Sequence, residues 1–120
     1  MVVQTLSEEQ IDRVFQALAD ATRRHIVGRV VSSECSVSAL ARTYPMSFAA
    51  VQKHVAVLER AHLVTKHRHG REQLVRANIA TVHLAAQLLD QLETLWRGRV
   101  DRMVDILVEP NTAPIRGASS

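Results

Sequence analysis

The chain has 120 residues, of which 47% are hydrophobic but only 3% aromatic, and a formal net charge of +3. This length suits one compact domain, and apolar content that comes mainly from small aliphatic residues favours packed helices over a β-sandwich. The single cysteine excludes an internal disulfide, and we see neither a signal-peptide pattern nor an apolar run long enough to span a bilayer, so we expect a cytoplasmic protein without a membrane partner.

Two amphipathic helices are predicted at the N-terminal end. Ser7 begins the first as an N-cap, and Gln10, three residues later, completes a capping box. Asp20 is predicted to cap the second helix, which ends at Ser32-Ser33. The apolar positions are Ile11, Val14, Phe15 and Leu18 in the first helix and Ile26, Val27, Val30 and Val31 in the second.

A short third helix and a longer fourth one follow. Ser36 or its neighbour opens the third, and Tyr44-Pro45 ends it because a residue that precedes proline avoids helical angles. Ser47 caps the fourth, which extends to about residue 61 with Val51, Val55 and Leu58 inward. The short connection makes the two helices cross steeply, so the outer face of the fourth is free to enter a groove.

The hydrophobic period then changes from helical to extended. Residues 64–68 and 72–76 form a predicted hairpin with a turn at His69-Gly70, and a helix runs from about Ala80 for over twenty residues. Residues 109–120 contain two prolines, a glycine and small polar residues, so we predict a disordered tail after a domain of residues 1–108.

The last helix has a wider apolar stripe than one small domain would bury. We therefore expect it to contact a second copy of the chain and predict a homodimer. The interface residues that we predict in the last helix are Leu88, Leu92, Leu95 and Trp96.

This order of elements is that of a winged helix-turn-helix domain, mostly α with a small β-hairpin wing. Residues 42–76 hold seven Lys or Arg and two Asp or Glu, a local net charge of +5, which suggests an anionic partner, although a solvated basic surface would give the same count. The fourth helix points Ala49, Gln52 and Lys53 outward, and Gln and Lys can bind base edges. An ordinary amphipathic helix is the alternative.

The hairpin tip, KHRHGRE, is basic around its glycine. A wing of this kind lies along the DNA backbone or the minor groove, where cations are attracted regardless of sequence. Surface loops can be basic without binding anything, but this one comes directly after a candidate recognition helix. Double-stranded DNA is therefore the predicted partner.

Three segments resemble the ArsR-type winged helix-turn-helix repressors: FQALADATRRHIVGRV, SVSALARTYPMSFAAVQKHVAVLERAHLV and KHRHGREQLVRAN. The resemblance implies a homodimer that joins through its first and last helices, so we also predict Ile11, Val14 and Phe15 of the first helix at the interface. It further implies binding to a palindromic operator, often in the protein's own promoter. It also implies a set of DNA-binding residues: Ser47, Phe48, Ala49, Gln52, Lys53 and His54 in the recognition helix, and Arg68, His69 and Arg71 in the wing.

The chain is most similar to the SdpR-like branch of that family, in the segment LARTYPMSFAAVQKHVAVLERAHLV and in Trp96-Arg97-Gly98-Arg99. Ala21 stands where the family usually has proline, and this costs only a preorganised first helical position. His62 replaces a common glycine before the wing, so we expect the helix end there to be shaped differently.

We expect neither an enzyme nor a metalloprotein. No phosphate-binding glycine loop, nucleophile elbow, HExxH or CxxC motif is present. Metal-sensing members of the family carry ELCVCDL, and its two cysteine positions are Ser36 and Ser38 here, while Thr81 and Thr94 replace ligands of a second metal site. Cys35 is predicted to be a packing residue, with a redox role left open. The rival function is a winged-helix module for protein interaction without an operator.

Overall fold

The computed structural model describes residues 6–107. In chain order the elements are α1 (Glu8–Leu18), α2 (Ala21–Ser32), β1 (Cys35–Ser36), α3 (Val37–Thr43), α4 (Phe48–Arg60), β2 (Val64–His69), β3 (Glu72–Ala77) and α5 (Ile79–Leu107). The predicted fold class, mostly helical with a winged helix-turn-helix, is confirmed. The tail predicted at 109–120 and the domain boundary before it lie outside the described residues.

Side-chain N-caps begin the first four helices where the sequence predicts them. At α1 the capping box is complete, since Ser7 Oγ accepts from the Gln10 N–H at 3.1 Å and the Ser7 N–H donates to Gln10 Oε1 at 2.8 Å. The other caps accept an N–H three residues on: Asp20 from Arg23, Ser36 from Ala39 and Ser47 from Ala50, at 3.0 to 3.1 Å. Each cap fixes the residue at which its helix begins.

The wing belongs to a three-stranded antiparallel sheet in the order β1-β3-β2. We did not predict β1, in which Cys35 pairs with Val75 and Ser36 with Leu74. In the hairpin, His69 pairs with Glu72, so the turn is Gly70-Arg71 and the predicted turn at His69-Gly70 is wrong by one residue. Gly70 has φ 63°, the conformation that a two-residue hairpin requires at its first position and that glycine adopts without strain.

The chain forms two compact units, one up to Ala85 and one from Ala86. The core of the first unit is built by all of its helices and by the sheet. Its largest fully buried side chains are Val14, Ile26, Leu40, Val51, Val55, Leu58, Leu63, Val64 and Val75. Residues 86–107 continue α5, where Leu92, Leu95 and Trp96 are exposed in the single chain.

Two predicted positions of apolar residues need correction. Val31 was predicted to face inward but is 46% exposed, because a helix turns by about 100° per residue and Val31 falls at the edge of the stripe that Ile26, Val27 and Val30 form. Val14 was predicted at the dimer interface, yet its side chain is fully buried in the core of its own chain.

The C-terminal end of α4 has a left-handed residue. His62 has φ 60°, its N–H donates to the Glu59 carbonyl at 2.9 Å, and the Leu63 N–H donates to the Leu58 carbonyl at 3.0 Å. These bonds form a Schellman motif, the helix end that glycine usually closes. Our expectation of a differently shaped helix end is therefore wrong, since His62 adopts the geometry of the glycine that it replaces.

Candidate nucleic-acid interface

The turn between α3 and α4 is fastened to α2. Tyr44 leaves α3 with extended backbone angles, as the following proline demands. Its hydroxyl is 2.6 Å from His25 Nδ1, and the two rings meet edge to face with centroids 5.4 Å apart. Burial raises the pKa of Tyr44 above its usual value, so the hydroxyl stays protonated. The residue at which α3 ends is thereby joined to α2.

The outer face of α4 presents polar and small side chains to solvent. Ala49, Gln52 and Lys53 are exposed, and Phe48 at the first turn is 48% exposed although it is aromatic. Within residues 6–107, neither Gln52 nor Lys53 has a hydrogen-bond or ion-pair partner. Both side chains are consequently available to a ligand. Ser47 is exposed as well, with its Oγ accepting from the Ala50 N–H.

His54 lies apart from that face. It is half-buried, with Nδ1 3.3 Å from Arg23 Nη1 and 3.9 Å from Asp20 Oδ2. A guanidinium has no acceptor, so Arg23 donates and Nδ1 accepts. The backbone N–H of Arg23, which donates to Asp20, lowers the pKa of the Asp20 carboxyl. The structure therefore places His54 against α2, and its contact with DNA stays a prediction.

The wing contains both paired and unpaired basic side chains. Lys66 Nζ lies 3.3 Å from Glu59 Oε1 and so joins β2 to α4. An ion pair between Arg76 and Glu34 joins β3 to the residue before β1. Arg68, His69 and Arg71 are exposed and have no such partner among the described residues. These three side chains, which were predicted to bind DNA, are free to meet an anion, whereas Lys66 is paired with Glu59 of α4.

Comparison with individual known proteins gives the family, since no protein-family model matches the chain. It is 38% identical over 85 residues to the HTH-type transcriptional regulator Rv2034 of Mycobacterium tuberculosis, an alignment that covers 71% of this chain and 77% of the relative. The ArsR-like transcriptional regulator from Rhodococcus sp. RHA1, a solved structure, is 32% identical over 82% of this chain and 92% of that one. The chain belongs to the ArsR family of winged helix-turn-helix transcriptional regulators.

Solved structures support this assignment. The Rhodococcus regulator superposes on this chain with a TM-score of 0.70. The homodimeric winged helix-turn-helix domain of Mb0332 from Mycobacterium bovis shares the fold with a TM-score of 0.61 and 24% identity, over 78% of this chain and 91% of that one. The chain is thus a transcriptional regulator with a DNA-binding fold, and its relatives are not enzymes.

One candidate DNA contact was not identified from the sequence. Arg42 is exposed in the last turn of α3, with no hydrogen-bond or ion-pair partner in the described range. The first helix of a helix-turn-helix crosses the DNA backbone, so an arginine at this place is a candidate phosphate contact. The available signal was its position two residues before Tyr44, at the predicted end of that helix.

The positions that hold metal in metal-sensing ArsR proteins have other contacts here. Ser36 is buried and its Oγ caps α3, while Cys35 is half-buried in β1 with Sγ 3.8 Å from Arg29 Nη2. Among residues 6–107 there is no group of three His, Cys, Asp or Glu that could hold a metal ion. None of the helices in that range combines the length and apolar character needed to cross a bilayer.

Proposed function

We propose that this protein is a homodimeric repressor that binds a palindromic operator, with one α4 and one wing on each half-site. The observation that carries the proposal is the set of exposed side chains on α4 and the wing that have no partner within residues 6–107: Gln52, Lys53, Arg68, His69 and Arg71. Unpaired cations beside a polar helix face are what DNA recognition requires. The resemblance to the SdpR-like branch adds a site in the protein's own promoter.

The proposed contacts divide into two classes. On α4, Gln52 binds adenine edges and Lys53 binds guanine or a phosphate, while Ala49 lets the backbone come close and Phe48 meets a thymine methyl. Phosphate and sugar contacts fix the position of the domain, and we assign them to Ser47, Arg68, His69, Arg71 and Arg42, with His54 at the margin. Specificity therefore depends on α4 and salt-dependent affinity on the wing.

The dimer proposal rests on the apolar residues of α5. Leu92, Leu95 and Trp96 are 55%, 70% and 59% exposed in the single chain. Burying the exposed parts of both leucines in each of two copies would contribute roughly 4–8 kcal/mol, as complete burial of one leucine contributes about 1.5–3 kcal/mol. In α1, Ile11 and Phe15 are half-buried and can add to the interface, while Val14 is in the core.

The test is a Leu92→Glu, Leu95→Glu double variant. Sedimentation should show monomers, and fluorescence anisotropy should show loss of operator binding, because a single half-site contact is too weak. A matched control places the same two charges on the opposite side of the helix, as Gln87→Glu, Thr94→Glu, and should remain a dimer that binds. Monomers that bind as tightly as the parent protein would disprove the dimer proposal.

Operator specificity needs its own experiment, because a winged helix that serves only protein interaction would share this fold. Fragments of the source genome that bind the protein should contain palindromes with half-sites about 34 Å apart. Their affinity should fall steeply with salt and should exceed the affinity for random duplex. Equal, weak binding of all fragments would favour the interaction module.

A further inference from the structure

A cationic groove is lined by residues that are not among the proposed DNA contacts. It has a volume of about 440 Å³ and is formed by α1, α2 and α4. Its lining comprises three arginines and a glutamine with apolar side chains between them: Arg13, Gln16, Ala17, Arg23, Val57, Arg60 and Ala61. No acidic residue is among the described residues that line it. Three guanidinium groups around one groove repel one another unless an anion joins them.

The guanidinium of Arg23 uses most of its N–H groups within the protein. Its Nε donates to the Ala17 carbonyl at 2.6 Å and its Nη2 to the Gln16 carbonyl at 3.1 Å, so it satisfies the last turn of α1. Nη1 donates to His54 Nδ1. A guanidinium has five N–H groups, and these bonds use three of them. Arg23 can therefore donate to a further acceptor.

Arg13 and Arg60 make few or no contacts of this kind within the protein. Arg60 is exposed, and within residues 6–107 it has neither a hydrogen-bond nor an ion-pair partner. Arg13 has one partner, Glu9 at 3.8 Å, and both side chains of this pair are more than half exposed, so the pair is weak. The neighbouring Glu59 carboxylate is paired with Lys66. Asp20 interacts electrostatically with Arg23, so Arg60 is the one groove arginine without an acidic partner among the described residues.

We propose that this groove binds a small organic anion, a phosphate or carboxylate with an apolar body, and that its binding weakens DNA binding. Arginines match the oxygens of either group in bidentate geometry, and Ala17, Val57 and Ala61 offer apolar contact to the body. The volume is within the range of small-molecule sites, about 300–1,000 Å³.

The coupling to DNA runs through Arg23. The same side chain lines the groove and holds His54 on the proposed recognition helix α4. An anion bound by the two remaining N–H groups of Arg23 draws the guanidinium toward the groove and away from His54, and so weakens the contact that joins α2 to α4. A ligand that binds the loosened state better than the DNA-bound state must lower DNA affinity, since the coupling is reciprocal.

The test uses phenyl phosphate as the probe with the full chain. Titration followed by NMR should show saturable binding, with no binding of phenol and weaker binding of inorganic phosphate. Arg60→Ala should weaken binding of the probe at least tenfold. Arg24→Ala is the matched control, because Arg24 lies beside Arg23 and bonds the Leu18 carbonyl at 2.7 Å but does not line the groove. It should bind like the parent protein.

DNA affinity is then measured at constant ionic strength, with and without saturating probe. The parent protein should lose affinity by threefold or more, and Arg60→Ala should lose none. No saturable binding, equal binding by Arg60→Ala, or an equal loss of DNA affinity in both proteins would overturn the proposal. So would a lower salt slope of Arg60→Ala without probe, because the groove would then be a contact for DNA phosphates. The titration is independent of the operator, so its failure would not bear on the proposed repressor function.

Discussion

Replacing His62 with glycine should make the protein more stable. His62 is held at φ 60° because it closes the Schellman motif at the end of α4. The left-handed conformation costs a residue with a Cβ about 1–2 kcal/mol, and glycine does not bear that cost. The His62 side chain is exposed and has no hydrogen-bond or ion-pair partner among residues 6–107, so its removal breaks no such contact.

The expected gain is smaller than the strain that is relieved. Glycine gives the unfolded chain more conformational freedom, which lowers the free energy of unfolding by about 0.4–1 kcal/mol. With mid-range values of about 1.5 and 0.7 kcal/mol, the net increase should be about 0.8 kcal/mol. At about 4–8 °C per kcal/mol for a small domain, Tm should rise by about 3–6 °C.

Urea unfolding followed by circular dichroism measures this change. The midpoint should increase at an unchanged slope, and protomer concentration must be fixed because dimerisation adds to apparent stability. His62→Ala is the control, since it removes the imidazole but keeps the Cβ, and it should not be more stable than the parent. If His62→Gly gained nothing, or if His62→Ala gained as much, the argument from backbone strain would be refuted.

Three further predictions concern DNA, ligand and pH. Gln52→Ala should relax base preference at one operator position at a cost of about 1–3 kcal/mol, whereas Arg71→Ala should weaken all sequences alike and reduce the salt slope by about one; equal losses in binding assays would contradict this division. Operator binding should be unaffected by Zn(II), Cd(II), arsenite or chelator and little changed in Cys35→Ser; metal-induced release that Cys35→Ser abolishes would contradict it. Because the pKa of Asp20 is lowered in the folded state, its ionised cap stabilises the protein above pH 3.8, and this contribution is lost as pH falls through the lowered pKa. Asp20→Ala should therefore be less stable than the parent in neutral buffer, with the difference narrowing in acid, and a difference constant with pH in denaturation curves would exclude that charge effect.

Local chemistry explains which features could be predicted from sequence. The caps at Ser7, Asp20 and Ser47 depend on side chains within three residues, so the sequence alone determines them. The pattern of residues 64–76 predicts a hairpin with a basic tip, and the structure has Arg68, His69 and Arg71 exposed there. Their roles on DNA remain predictions.

Features that depend on distant parts of the chain were missed. Strand β1 has two residues, too few for a period, and exists only because Cys35 meets Val75. The contact between Arg23 and His54 joins residues 31 positions apart and depends on how the helices pack. His62 was misjudged for another reason: the bonds at the end of α4 hold it in a conformation that its own preference disfavours.

Strand β1 is followed directly by α3, with no linker residue between them. Ser36 pairs with Leu74 in β1 and also caps α3 through its Oγ. An insertion here would move the strand register by one residue, turn its side chains to the opposite face and separate the cap from its helix. By contrast, neither residue of the exposed turn at Gly70-Arg71 both pairs in a strand and caps a helix. Insertions and deletions among related sequences should therefore occur at the tip of the wing and be absent between β1 and α3.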